Sequence, residues 1–161
     1  ATASPIILCG AKIVLCDVEL DNFSLDLNIL EKKITKKTKC IIPVHLSGFC
    51  CDMDRLKSIC KKKNIYLIED SAQALGATYK NKNLGNFGDL SGFSFFGNKI
   101  MTTGEGGMII AKKKSLLKKV YLIKNHGRDK TGIFKHKTLG FNFMFTEMQA
   151  AIGNIQLKKY N

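Results

Sequence analysis

Proline is nearly absent from this chain: Pro5 and Pro43 are the two prolines in 161 residues. With no repeating period either, collagen-like, Pro-rich and mucin-like architectures are excluded. No stretch approaches the ~18 consecutive apolar residues of a membrane span. Acid is scarce, with 13 Asp+Glu against 26 Lys+Arg, and arginine is scarcer, since Arg55 and Arg128 are its two occurrences and the other 24 basic residues are lysine. The six cysteines contain no CxxC pair, and no histidine stands at zinc-finger spacing from them. Cys50 and Cys51 are adjacent and do not easily serve one metal. What remains is 45% apolar and 9% aromatic, which is ordinary for a globular α/β chain and too apolar for a disordered one. The length suggests one domain with enough interior for a real core.

The formal net charge of +13 raises a nucleic-acid reading. Nucleic-acid binders gather Arg and Lys on one face or stripe, often with interleaved aromatics. Here the lysines run the whole length in short clusters such as Lys61-Lys62-Lys63 and Lys112-Lys113-Lys114. Clusters of this kind are expected at helix ends or in turns, solvated and favourable to the helix dipole. The charge therefore reads as compositional bias, with neither nucleic acid nor membrane as a partner. The cysteines sit beside apolar residues, as in IILC and KIVLC, and are expected to be buried reduced thiols of a cytoplasmic protein. No signal peptide is visible, but Ala1 is not an initiator Met, so the natural N-terminus is expected upstream.

Along the chain, helix and strand signals alternate. Residues 2–9 are apolar and end at Gly10, a helix C-cap signal. KIVLC (12–16) reads as a short strand closed by Asp17, and Leu27, Leu30 and Ile34 mark an amphipathic helix. CIIPVH (40–45) reads as a strand with Pro43 near its end. Asp52 can cap a helix bearing Met53, Leu56, Ile59 and Cys60. IYLI (65–68) is the near-continuous apolar run of a strand covered on both faces. GFSFF (92–96) and GMIIA (107–111) are further strands, and a helix follows from about Ser115 to Lys124. Thr146 with Gln149 forms a capping box before AAIGNIQLKKY. Strands separated by helix-length segments predict an α/β chain with a mostly parallel sheet.

In open parallel sheets, ligands bind beyond the carboxyl ends of the strands. Beyond IYLI stand Glu69, Asp70, Ser71, Ala72 and Gln73; Asp70 alone could merely cap the next segment. Beyond GFSFF stand Lys99 and the run Gly104-Glu105-Gly106-Gly107, with Ser94 five residues before Lys99. That Gly-rich turn matches neither Walker nor Rossmann spacing and could be a plain turn between strands. The combination carries more weight: an acid closes one strand, a serine ends another, and a lysine stands in the small-residue loop beyond it.

IEDSAQALGA, GDLSGFSFFGNK, TTGEGGMI, KNHG and GFNFMFTEMQAAIG resemble the DegT/DnrJ/StrS-type sugar aminotransferases. These are pyridoxal-phosphate (PLP) enzymes, and the likeness runs from TASPIILCGAKIVLCDVE to IGNIQLKKY. It implies an aspartate aminotransferase-like fold (PLP fold type I), a three-layer α/β sandwich with a mostly parallel sheet. Residues 1–161 would form an incomplete part of the PLP-binding large domain, with an upstream phosphate-binding segment and a C-terminal small domain lying outside them.

Within the family, SFFGNKIMTTGEGGM is most similar to the members that aminate a GDP-linked 4-keto-6-deoxymannose, which implies glycan or O-antigen-type (lipopolysaccharide) sugar biosynthesis. Carried over by resemblance, Lys99 would attach the cofactor through its amine and then move the proton at the donor α-carbon. Asp70 would pair with the pyridinium nitrogen. Gln73 would reach the phenolic oxygen, Ala72 would pack beneath the ring, and Ser94 would donate to the phosphate. Asn142 resembles an Asn that reaches the phosphate of the neighbouring subunit, which implies a homodimer with shared active sites; it could equally be a turn residue before Thr146. His45 and Glu105 lie in matched motifs without an assigned role, and His126 and His136 read as loop or substrate-side residues. The implied partners are a nucleotide-sugar and an amino-acid donor, with glutamate expected. One branch of the family deoxygenates its sugar and carries His at the position of Lys99, so lysine here favours transamination over a dehydratase. A basic binding module without catalysis is the remaining alternative.

Overall fold

The computed structural model describes residues 1–160. The chain divides between Phe93 and Ser94 into two compact units, where its length alone suggests one.

The first unit opens with α1 (Ala3–Leu8), closed as expected before Gly10, whose φ of +71° suits glycine. KIVLC forms no strand: residues 11–17 carry no regular element, and Val14 and Leu15 are exposed. β-branched residues favour a strand only where a neighbouring ladder takes up their N–H and C=O groups. Here the pairing is limited to a single antiparallel bridge between Val18 and Leu25. α2 (Leu27–Lys33) starts where Asp26 accepts hydrogen bonds from the N–H groups of Asn28 and Ile29. β1 is cut to Cys40–Ile41. Pro43 has no N–H to give the ladder, yet pairing resumes beyond it, with His45 N–H donating to Asp70 O and Val44 bridging Asp70. A 3₁₀ turn covers Leu46–Gly48.

α3 (Met53–Lys63) follows its Asp52 cap, buries Met53, Leu56, Ile59 and Cys60, and stops at Asn64 in the left-handed region. β2 (Tyr66–Asp70) and β5 (Leu90–Ser94, whose last residue opens the second unit) complete a parallel β1–β2–β5 arrangement. Their register sets Cys40 against Tyr66 and Asp70 against Gly92. β5 begins two residues earlier than GFSFF suggests, and Tyr66 is exposed, so the cover expected over both faces of IYLI is incomplete. Between β2 and β5 a hairpin, β3 (Thr78–Tyr79) and β4 (Lys82–Asn83), turns through Lys80 and Asn81, both at positive φ. That hairpin is too short to show a period of two in the sequence. The core gathers Leu27, Leu30, Ile41, Met53, Leu56, Leu67, Leu84 and Phe87.

The second unit holds β6 (Gly107–Ala111), α4 (Lys114–Lys124) and α5 (Glu147–Lys158), with α4 packed on β6. Thr146 and Gln149 form the expected capping box. The lysine clusters divide. Lys61, Lys62 and Lys63 fill the last turn of α3, where the dipole favours them, but Lys113 is the N-cap of α4 and Lys114 its first residue. At that end the dipole disfavours cations, which corrects the expectation for Lys112–Lys114.

All six cysteines are free, and Cys51 and Cys60 are buried; Cys16, Cys40 and Cys50 are half-buried and Cys9 is exposed, so general burial does not hold. Among the described residues no helix is long and apolar enough to cross a membrane, and no group of three or more His, Cys, Asp or Glu could hold a metal.

Candidate active site

Strand alternation sorts the residues at the end of β2. Glu69 turns inward and is fully buried. Its carboxylate takes four donors: Gly88 N–H at 2.6 Å and Phe87 N–H at 2.7 Å on Oε1, Gly85 N–H at 2.8 Å and His45 Nε2 at 2.9 Å on Oε2. Burial pushes the Glu69 carboxyl up, but the His45 bond and the three main-chain N–H groups outweigh it and hold the group below the usual glutamate value.

Asp70, the next residue, is half-buried, and both of its oxygens are occupied. Oδ1 accepts from Ala72 N–H at 3.2 Å and Oδ2 from the Thr2 hydroxyl. Thr2 is the N-cap of α1 but makes no capping bond of its own, so its hydroxyl serves the carboxylate. Behind this segment Ser71 and Ser91 are buried and share a hydroxyl–hydroxyl bond of 3.0 Å, while Ser71 N–H donates to Gly92 O at 2.9 Å. The end of β2 is therefore pinned to β5. Gln73 is exposed and its Oε1 accepts from Ser47 N–H at 3.1 Å. Because an N–H must meet the amide oxygen, Nε2 is left as the donating end.

Asp70 is thus the last residue of β2, and Ala72 and Gln73 lie in the turn that follows it. Thr2 and Ser47 escape the reading of the sequence, which names His45 and Glu69 without their partners. Thr2 acts through its hydroxyl from 68 residues away in the chain, and Ser47 through a main-chain N–H that leaves no trace in residue type. His45 and Glu69 had a signal, since an acid inside a buried strand needs donors from elsewhere in the chain.

In the second unit, Ser94 Oγ accepts from Phe96 N–H at 3.3 Å, which leaves its own proton to donate. Lys99 is half-buried and follows a turn closed by its N–H on Phe96 O at 3.0 Å. The Gly-rich run beyond it serves two ends. A side chain at Gly106 would stand 2.6 Å from Thr103 Oγ1 and 2.7 Å from the Phe145 ring, so that glycine is set by packing; Gly104 faces open space. Glu105 acts through its carbonyl, which takes the Thr103 hydroxyl at 2.7 Å and Gln149 Nε2 at 2.8 Å and ties the loop to α5.

Asn142 lies on a separate segment, exposed and bridged to Asn125. Within KNHG, Asn125 is fully buried and exchanges bonds with Arg128, and His136 Nδ1 lies 2.6 Å from His126 O. The groove between α2 and α3, lined by Glu31, Arg55, Ser58 and Lys62, contains none of the expected site residues.

In the first unit an acid and a glutamine thus stand at the end of β2, and in the second a serine ends β5 with a lysine five residues on. The chain belongs to the DegT/DnrJ/EryC1/StrS aminotransferase family, whose model matches residues 1–161. It is 46% identical over 159 residues to the GDP-perosamine synthase of Caulobacter vibrioides, covering 99% of this chain and 43% of that protein. The fold matches PseC of Helicobacter pylori, an aminotransferase involved in pseudoaminic acid biosynthesis, with a TM-score of 0.93 and 35% identity over 99% of this chain and 43% of that one. A Streptococcus pneumoniae protein described as a sugar aminotransferase, solved in its PLP-form, matches with a TM-score of 0.89 and 35% identity over 99% of this chain and 46% of that one. The chain spans less than half the length of these relatives, and the α/β fold with a mainly parallel sheet is that of part of an aminotransferase.

Proposed function

We propose that the complete protein is a PLP-dependent aminotransferase acting on a nucleotide-linked 4-keto-6-deoxy sugar, with glutamate as the amino donor. The observation that carries this reading is Asp70, whose two oxygens are fixed by Thr2 and Ala72, with Gln73 three residues on held by its amide oxygen and its NH₂ left to donate. The donor set suits PLP. A fixed carboxylate accepts from a protonated ring nitrogen, and an amide Nε2 donates to a phenolic oxygen. Ala72 is small and half-buried, as a residue beneath a ring must be.

When bound, PLP supplies an electron sink for the carbanion formed at the donor carbon. Asp70 would present its carboxylate to the ring nitrogen and accept from it. Lys99 Nζ holds the cofactor and takes and returns the proton at the donor α-carbon. Ser94 Oγ would donate to the phosphate, and Asn142 would reach the phosphate of a second copy in a homodimer. Lysine at position 99, in place of histidine, favours transamination over the dehydratase alternative. The likeness to a GDP-perosamine synthase supports a GDP-linked sugar, destined for a glycan of the O-antigen type.

The test is an absorbance spectrum of the complete gene product with added PLP. A band at the edge of the visible, absent in Lys99→Ala, is the expected result. A wild-type protein without that band, or with strong salt-sensitive DNA binding instead, overturns the reading.

A further inference from the structure

We propose that His45 is a positioning residue of this site, and that the turn it opens, His45-Leu46-Ser47-Gly48, is a clamp that sets Asp70 and Gln73 together. The inference rests on the functional reading above and adds residues to which no role is assigned. Three hydrogen bonds from this four-residue turn land within one five-residue stretch. His45 N–H donates to Asp70 O at 3.0 Å, His45 Nε2 donates to Glu69 Oε2 at 2.9 Å, and Ser47 N–H donates to Gln73 Oε1 at 3.1 Å. The first two fix the height of β2 where Asp70 leaves it, and the third turns the Gln73 amide so that its NH₂ faces outward.

The backbone of the turn carries the mark of this task. Ser47 lies at φ +51° and Gly48 at φ +84°. Two successive left-handed residues are unfavourable for a side chain such as serine's. They persist here while Ser47 N–H meets Gln73.

The imidazole is held in a way that makes it the handle of the clamp. A carboxylate only accepts, so Glu69 fixes the proton on Nε2. His45 is fully buried, and its Nδ1 has no hydrogen-bond partner among the described residues. The ring therefore hangs on one bond. Glu69, anchored in turn by Gly85, Phe87 and Gly88, passes the position of the β4–β5 loop to the turn through that bond. A histidine kept only for packing would be as well served by an apolar ring, without a stranded nitrogen.

The experiment uses the complete protein, titrated with PLP and followed by visible absorbance, with amide hydrogen exchange of residues 69–73 measured before PLP is added. His45→Leu should speed exchange over that stretch. It should weaken PLP binding on the order of tenfold, the lower end of the scale seen when residues behind metal ligands are lost, and lower kcat more than it raises KM. His45→Gln, whose terminal amide reaches the place of Nε2, should restore all three.

Where His45→Leu does not fold, His45→Gln is set against His45→Asn. The asparagine amide stops at the place of Nδ1 and cannot reach Glu69, so Gln and not Asn should keep wild-type exchange and affinity. Equal behaviour of these two, or a folded His45→Leu with wild-type exchange and binding, overturns the positioning role alone. A wild-type protein that takes up no PLP overturns the functional reading, and the positioning role with it.

Discussion

The Tyr79 hydroxyl donates to Asp52 Oδ1 at 2.8 Å, the same oxygen that accepts Arg55 N–H at 3.0 Å and starts α3. One carboxylate oxygen thus caps the helix and holds the β3–β4 hairpin against it. The Arg55 N–H first, and the Tyr79 hydroxyl second, keep the Asp52 carboxyl below the usual aspartate value. A group whose folded value is depressed stabilises fully above its unfolded value, about 3.9, and loses that stabilisation as pH falls through the folded value. Asp52→Ala should cost about 1 kcal/mol, the scale of a lost N-cap. Asp52→Asn should keep most of the cap and flatten the acid limb of stability below about pH 4, as thermal melts across pH will show.

Glu69 should be an acid-sensitive carboxylate as well. Burial acts against its ionisation, yet the four donors win, so its folded value is depressed and the sign is the same as for Asp52. Stability that depends on Glu69 is complete above about pH 4.3 and falls away as the pH drops through the folded value. Glu69→Gln places an NH₂ against one of two pairs of donors. Urea denaturation should show a loss of about 3 kcal/mol, the scale for breaking a buried pair.

Helices were the most legible part of the fold, because caps and spacing are local. Asp52 with Met53, Leu56, Ile59 and Cys60, and Thr146 with Gln149, stand where the sequence puts them. KIVLC failed because a strand is made by its partner, which the run itself does not contain. At the site, the sequence singled out Asp70, Gln73, Ser94 and Lys99 through long motifs; Asp70 and Ser94 are the last residues of β2 and β5, and Gln73 and Lys99 lie in the segments that follow. The hold on Asp70 by Thr2, and on Gln73 by Ser47, was not legible, since contacts 68 and 26 residues apart leave no spacing to read.

Gly88 separates packing from chain flexibility. A Cβ there would stand 2.7 Å from Leu90 O and 2.8 Å from Leu67 O, main-chain atoms that cannot swing away. Gly92, on β5, would meet nothing within 4 Å. Gly88→Ala should therefore cost about 2 kcal/mol or more. Gly92→Ala should fold at least as stably as wild type, since alanine loses less backbone entropy on folding. Paired denaturation curves check the difference.

The free thiols should react in order of exposure and ease of ionisation. Burial pushes the Cys51 thiol up to about 12 and those of Cys40 and Cys60 up to about 11, with nearby acids adding to it. Cys9 is exposed. Brief iodoacetamide treatment near pH 8, read by peptide mass spectrometry, should label Cys9 first and leave Cys51 and Cys60 unmodified until the protein is denatured. Early labelling of Cys51 would show that the first unit opens locally around α3.

Asp70 and Lys99 should separate attachment from turnover. On the proposed reading, Lys99 would carry the amine that holds the cofactor, whereas Asp70 would supply the charge opposite the ring nitrogen. In the complete protein, Asp70→Ala should therefore retain the Lys99-dependent visible band while kcat falls on the order of 10³-fold or more, the scale for removing a group aimed at developing charge. Asp70→Asn should behave alike, because an amide can satisfy Thr2 and Ala72 but carries no charge to the ring nitrogen. Thr2→Val tests the orientation of the same carboxylate. Ala72 still holds Oδ1 at 3.2 Å, so a smaller fall in kcat than in Asp70→Asn is expected, with the band unchanged. A Thr2→Val loss as large as that of Asp70→Asn would mean that orientation, rather than charge, is what Asp70 contributes.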